Sequence, residues 1–299
     1  MSDDVRLHEL RAEVGRVVVT PLAQLIHDKT DGNPFFAIQF FSALAEAGLL
    51  TFDHGEGRWS WDLNRIHAKG YTDNVVDLMV GKLIRLPVET QNALQQLACL
   101  GNKAEVALLM MVYQGSKEDM HRKLSEAVRT GLIFRSEDSY SFLHDRVQEA
   151  AYSLIPQELR AETHLRIGRL LAAHTPLEKL EDGIFEIVNQ LNRGSHLITS
   201  TEERERVAEL NFIAGRHAKA SAAYASALNY LAAGQALLTE ESWDHNYELI
   251  FDIEFYMAEC ELLTANKVAA ENRLSMLAQR ARSAHHIASV ARLLITLYQ

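Results

Sequence analysis

Cysteine, proline and long apolar runs are scarce in this chain. Two cysteines occur in 299 residues, Cys99 and Cys260, far apart and each inside a helical pattern. That excludes a disulfide framework and a cysteine-based zinc site, and it suits a reducing cytoplasm. Five Pro and 15 Gly are too few turn-formers for an all-β or linker-like chain. No stretch approaches the roughly 18 uninterrupted apolar residues of a membrane helix. Met1 to Arg16 carry charges throughout and lack the apolar core of a secretory signal. Basic charge is short as well, with 30 Lys and Arg against 40 Asp and Glu and a net −10. Split at residue 160, the halves hold 17 basic against 22 acidic residues and then 13 against 18. Neither half is therefore a footprint for nucleic acid.

The remainder is 47% apolar and 23% charged, the composition of a soluble globular protein long enough for two or three domains. The prolines mark its organisation. Pro21 opens a helix that runs to Lys29, with Thr20 as its cap, and stops at Thr30-Asp31-Gly32-Asn33. Pro34 starts a second helix, capped by Asn33 and ended by Gly48. A β-hairpin follows, Leu49 to Phe52 and Arg58 to Trp61 around a Gly-containing loop, then an extended stretch and a helix from Thr72 to Leu86. From Pro87 the pattern predicts helices at 88–99, 104–113 and 117–130, two short strands at 132–135 and 139–142, and a helix from His144 to Leu154. Three helices and a hairpin make a winged helix-turn-helix.

No Pro occurs from Leu177 to Gln299. Helices are predicted at 157–173, 180–193, 202–218, 220–238, 245–264, 267–282 and 285–298. Ala227 and Leu231 match Ala270 and Leu274, 43 positions on. Small residues at Ala223, Ala227 and Ala233 would allow close helix crossing, and Tyr224, Tyr230, Phe251, Phe255 and Tyr256 would supply bulk. This resembles a tetratricopeptide-like superhelix, its last repeat unfinished at Gln299. The fold class is thus mainly α, with boundaries at 1–86, 87–156 and 157–299.

Catalytic chemistry has no evident place. There is no G-x-x-x-x-G-K-[ST] or G-x-G-x-x-G for phosphate, no H-E-x-x-H for zinc and no G-x-S-x-G for a nucleophile. His285 and His286 are adjacent on a helix and cannot face one metal. His144-Asp145-Arg146 shares two residues with the phospho-acceptor box of sensor kinases, but no early Pro and no Gly-rich ATP lid follow. A winged helix suggests DNA, yet the 117–130 helix sets Lys117, Arg122, Lys123 and Arg129 against Glu118, Asp119 and Glu126. Residues 87–155 hold 7 basic and 9 acidic side chains, little for phosphate neutralisation. A packing and switching module is the better reading, and a DNA-binding regulator is the alternative.

Three segments go beyond pattern. Thr30-Asp31-Gly32-Asn33-Pro34-Phe35-Phe36 resembles the T-x-G-N-P-F-F motif in the helical lid of signal-transducing ATPases with numerous domains. Thr72 to Met79 with Leu86-Pro87 resembles the entry to their winged helix. Phe142-Leu143-His144-Asp145-Arg146 and the run on to Pro156 resemble the strand-to-helix junction that leaves it. The chain is thereby similar to the middle of bacterial hybrids that join a serine/threonine-kinase-like domain, an AAA-type ATPase, helical repeats, a GAF domain and a sensor histidine kinase or cyclase.

The resemblance implies a partial ATP/ADP site at Asn33, Pro34 and His144. Pro34 would lie against adenine, and His144 would meet the β-phosphate of ADP. It implies no catalytic residue and no metal ligand in this chain. The nucleotide core is expected before Met1, and further repeats and the output kinase after Gln299. Protein partners are expected on the repeats, and membrane and nucleic acid are not. A Phe-rich lid face (Phe35, Phe36, Phe40, Phe41) is expected to be exposed and prone to association.

Overall fold

The computed structural model describes residues 20–30, 32–55, 57–68, 75–113 and 115–298, without the side chains of 75–78. Met1 to Arg16, Asp31 of the first motif and Thr72-Asp73-Asn74 at the start of the second lie outside the described residues. The fold is mainly α. It divides into two compact units, one of the residues up to Glu105 with Lys117–Leu154, the other of Val106–Ser116 with Ile155 onward.

In the first unit, helix α1 covers residues 20–30, so Thr20 is already helical and is not the expected cap. It ends at Gly32, whose φ of +70° is the left-handed turn that closes a helix. A Cβ there would come within 3.1 Å of the His27 ring. Helix α2, Pro34–Glu46, begins at once. Asn33 is extended, and its side-chain oxygen accepts from the N–H groups of Phe35 and Phe36 at 3.0 and 3.4 Å. Pro34 fills the first turn, where no N–H is needed. Gly-Asn-Pro thus stops one helix and starts the next within three residues.

Phe36, Phe40 and Leu44 share one face of α2 and are buried. The expected exposed Phe face is therefore corrected: 3.6-residue periodicity turns Phe36 and Phe40 inward, and Phe41, at 39% exposure, is the one left clearly open. Strands β1 (Leu50–Asp53) and β2 (Arg58–Trp61) form the expected hairpin, with Leu50 opposite Trp61. Helices α3 (Leu63–Ala68) and α4 (Val75–Leu83) follow. Leu22, Ile26, Phe40, Leu44, Leu49, Leu50 and Ile66 make one core.

Helix α5 (Val88–Leu100) leads to strand β3 (Lys103–Glu105). The chain then passes through α6 (Val106–Tyr113) of the second unit and returns in α7 (Lys117–Arg129), β4 (Ile133–Arg135), β5 (Ser139–Phe142) and α8 (Asp145–Ser153). The sheet order is β3-β5-β4, antiparallel. β3 is not foreseen in the sequence because Lys-Ala-Glu has no strand signal of its own and is extended by pairing with β5. α5 packs on α7 and α8, and α8 packs on α4.

In the second unit α6 packs on α9 (Gln157–His174). The winged helix-turn-helix expected from the sequence puts α6 with α5 and α7 instead. Then come α10 (Ile184–Arg193), α11 (Thr201–Ala220), α12 (Tyr224–Gln235), the short α13 (Ser242–His245), α14 (Tyr247–Leu263), α15 (Lys267–Arg280) and α16 (Ala284–Tyr298). The long helices pack on their sequence neighbours.

The 43-position match has a backbone counterpart. Ala222 and Ala265, also 43 apart, end α11 and α14 in left-handed geometry, φ +58° and +61°. In each turn the next N–H, of Ala223 or Asn266, reaches five residues back to the carbonyl of Ala218 or Glu261. Ala227, Leu231, Ala270 and Leu274 are all fully buried. Close approach of α11 and α12 rests on glycine more than on the expected alanines. A Cβ on Gly215 would stand 2.6 Å from Leu231, and one on Gly234 3.1 Å from Asn211. Ala227 is buried as expected, but Ala223 is exposed before α12. Between α14 and α15, Arg273 joins the buried carboxylates Glu254 and Glu261, at 2.9 Å from Glu261, and Gln235 of α12 also bonds Glu254.

Candidate functional site

Asn33 and His144, 111 residues apart in sequence, meet in the first unit. His144 follows β5 in extended backbone and caps α8, its Nδ1 accepting from the Arg146 N–H at 3.2 Å. An accepting Nδ1 puts the ring proton on Nε2. Nε2 lies 3.5 Å from Asn33 Nδ2. The Asn33 amide is fixed in turn, because its oxygen is committed to the start of α2. The two nitrogens thus lie against each other, each side chain held by the helix it caps.

The imidazole is clamped from the side. Phe35 stacks on it with centroids 5.5 Å apart and planes 12° apart, and the Phe36 ring stands 4.4 Å away. Asn33 and His144 are partly buried, and Pro34 exposes its ring at the head of α2. The structure thus brings Asn33, Pro34 and His144 into one neighbourhood, with the N-terminal end of α2 contributing its partial positive charge. Two side-chain nitrogens able to donate, beside such an end, form a setting that suits an anionic oxygen such as that of a phosphate group. The Phe35 stack was not legible in the sequence, since nothing in the motif tells which ring His144 meets.

Lys82 of α4 donates to Gln39 of α2 at 2.6 Å. Burial pushes its ammonium below the ordinary range, against the pull of Glu46. His121 bonds Tyr140 at 2.6 Å and ties α7 to β5. On α7, Arg122 and Lys123 pair with Asp119 and Glu89, and Arg129 pairs with Glu126. An apolar cleft of about 460 Å³ opens between α1, α2 and the hairpin, lined by Leu22, Ile26, Phe41, Leu50, Trp59 and Trp61. His27 and Thr30 also line it.

In the second unit α11 borders two polar hollows. One, of about 340 Å³, has Arg216, His217 and Lys219, with Lys219 4.4 Å above the Tyr256 ring. The other, of about 470 Å³, has Glu202, Glu205, Glu209 and Asp252 around Phe212. Burial and the neighbouring Glu248 hold the Asp252 carboxyl above the usual range. Among the described residues no group of His, Cys, Asp and Glu could hold a metal ion. No described helix is long and apolar enough to cross a membrane.

The chain matches no protein-family profile. It is similar to the hybrid signal transduction histidine kinase G of Dictyostelium discoideum, 27% identical over 331 aligned residues. The match takes in 90% of this chain and 10% of that protein, so the chain spans about a tenth of the relative's length.

Proposed function

We propose that this chain is a non-catalytic regulatory segment of a signalling protein, in which the first unit responds to a nucleotide phosphate and the helices of the second hold a protein partner. The observation that carries this reading is the meeting of His144 Nε2 and Asn33 Nδ2, 3.5 Å apart, beside the N-terminus of α2. A bound ATP or ADP supplies the phosphate oxygens that such donors bind. Asn33 and His144 would hold that group, and Pro34 would offer its exposed ring to the base.

The similarity to a hybrid histidine kinase supports a signalling context. The motif resemblance to signal-transducing ATPases supports the nucleotide. The chain lacks a phosphate loop, so the site is one wall and its own affinity is weak. His144 joins the β-sheet to α8 while Asn33 joins α1 to α2, so a ligand gripped by both would fix those elements together. Glu181 also lines the first hollow and Arg206 the second, so α11 presents charges of both signs, a surface suited to a protein. The carboxylate partners of Arg122, Lys123 and Arg129 weigh against the DNA-binding alternative.

Equilibrium binding of fluorescently labelled ADP tests the proposal. The purified chain should bind with a dissociation constant near the millimolar range, and His144→Ala should abolish binding. Equal binding by the parent chain and His144→Ala would overturn it.

A further inference from the structure

Helix α11 turns one continuous stripe toward α14. Glu202, Glu205, Glu209, Phe212, Arg216 and Lys219 recur at alternating steps of three and four, which places them on one side of the helix. The stripe borders both hollows of the second unit. Asp252 and Leu249 of α14 stand across the acidic one, and Tyr256 across the basic one. The half-buried rings of Phe212 and Tyr256 meet edge to face at 5.4 Å, so the two hollows adjoin as one groove.

Charge is sorted along this groove. Around Phe212 stand Glu202, Glu205, Glu209 and Asp252, with Arg206 against them. At the other end Arg216, His217 and Lys219 face Glu181. Compensation of the α11 dipole accounts for Glu202 in the first turn and Lys219 in the last. It does not account for Glu205, Glu209 and Arg216 outside those turns, or for Asp252 in the middle of α14. Part of the charge is met within the fold: Arg206 pairs with Glu209 at 3.5 Å, and Lys219 pairs with Glu259. Glu203, outside the groove, pairs with Arg169 at 2.6 Å. Among the described residues Glu202, Glu205 and Arg216 make no ion pair. Burial and Glu248 hold the Asp252 carboxyl up against the pull of His286, Arg216 and His285, so negative charge at that end exceeds what the fold supplies to meet it.

We propose that this groove takes an extended segment of a partner protein, with a pair of Lys or Arg at one end, a carboxylate about five residues away and an apolar side chain between them. The proposal rests on the reading that the second unit holds a protein, and it gives that protein its chemistry. Glu202 and Glu205 take the cations, Arg216 takes the carboxylate, and the rings of Phe212 and Tyr256 lie under the apolar side chain. Glu205 and Arg216 stand eleven positions apart on α11, which is about 16 Å along its axis and the span of about five extended residues.

Fluorescence anisotropy with a labelled synthetic peptide tests this. The peptide Lys-Lys-Ala-Leu-Ala-Ala-Glu, blocked at both ends so that only its side chains carry charge, should bind the chain at low salt with a dissociation constant on the order of 100 μM. A peptide of the same composition with Glu directly after the two Lys should bind at least about fivefold more weakly. Glu205→Gln and Arg216→Gln should each weaken the first peptide about fivefold with an unchanged circular dichroism spectrum. Replacing the Glu of the peptide by Gln should cost about the same factor with the parent chain and nothing further with Arg216→Gln, because the two charges act as one pair. No saturable binding below about 1 mM, equal binding of the two peptides, or separate and multiplying losses from Arg216 and the peptide Glu would each overturn the proposal. Labelled ADP titrated into the same sample reads Asn33 and His144 alone, so a failure of the groove and a failure of the nucleotide reading are told apart.

Discussion

Ala222 and Ala265 hold the left-handed turn that glycine takes without cost. Each is strained by its own Cβ, in a turn whose hydrogen bonds are otherwise complete. Ala222→Gly and Ala265→Gly should each stabilise the protein by about 0.5–1 kcal/mol, seen as a higher urea midpoint at unchanged slope. A lower midpoint would show that the extra freedom of the unfolded glycine chain outweighs the relieved strain. Asn33 is the opposite case. Asn33→Ala leaves the N–H groups of Phe35 and Phe36 unmet and should cost about 1 kcal/mol, while Asn33→Asp keeps the cap. That cap was legible in the sequence, because Asn before Pro at the head of an apolar run has a local physical meaning. The role of His144 as a cap was less so, and its meeting with Asn33 and Phe35 is a tertiary event that no local rule encodes.

Buried ions and histidines tie the helices to one another. Arg273 stands between Glu254 and Glu261, both nearly without solvent. Arg273→Ala strands two buried carboxylates and should destabilise the protein by about 3–5 kcal/mol in chemical denaturation. A loss near zero would mean that water reaches the pair.

His164 of α9 bonds Gln190 of α10 at 2.6 Å, with Arg193 3.4 Å from its other nitrogen. Burial first, then Arg193 and Arg160, push its pKa below the ordinary value of 6.5, against the pull of Gln190. Burial, with Arg135 and Lys117, lowers that of His121 as well. Below pH 6.5 the unfolded chain takes up protons that the folded chain refuses, so stability should be full above that pH and fall on acidification. His164→Gln should flatten the fall in pH-resolved urea titrations. The long helices themselves were readable, since Pro and Gly punctuate an otherwise unbroken 3.6-residue rhythm. The three-residue β3 was not, because only its partner β5 makes it a strand.

Across the whole molecule, composition foretold the mainly α fold. The division into units was harder to read. α6 is apolar enough to join any neighbour, and sequence order alone assigned it to α5 and α7, whereas it packs on α9. The absence of a phosphate loop yields a further prediction: the purified chain should release no phosphate from ATP above the buffer rate, as followed by a phosphate-binding sensor. The account as a whole rests on the meeting of His144 and Asn33. Nitrogen-15 NMR of the imidazole and side-chain amide groups reads them directly as ADP is added. The account predicts His144 with its proton on Nε2, and the His144 Nε2 and Asn33 Nδ2 signals moving together along one binding curve. A proton on Nδ1, or ADP at saturation with both signals unmoved, would contradict it.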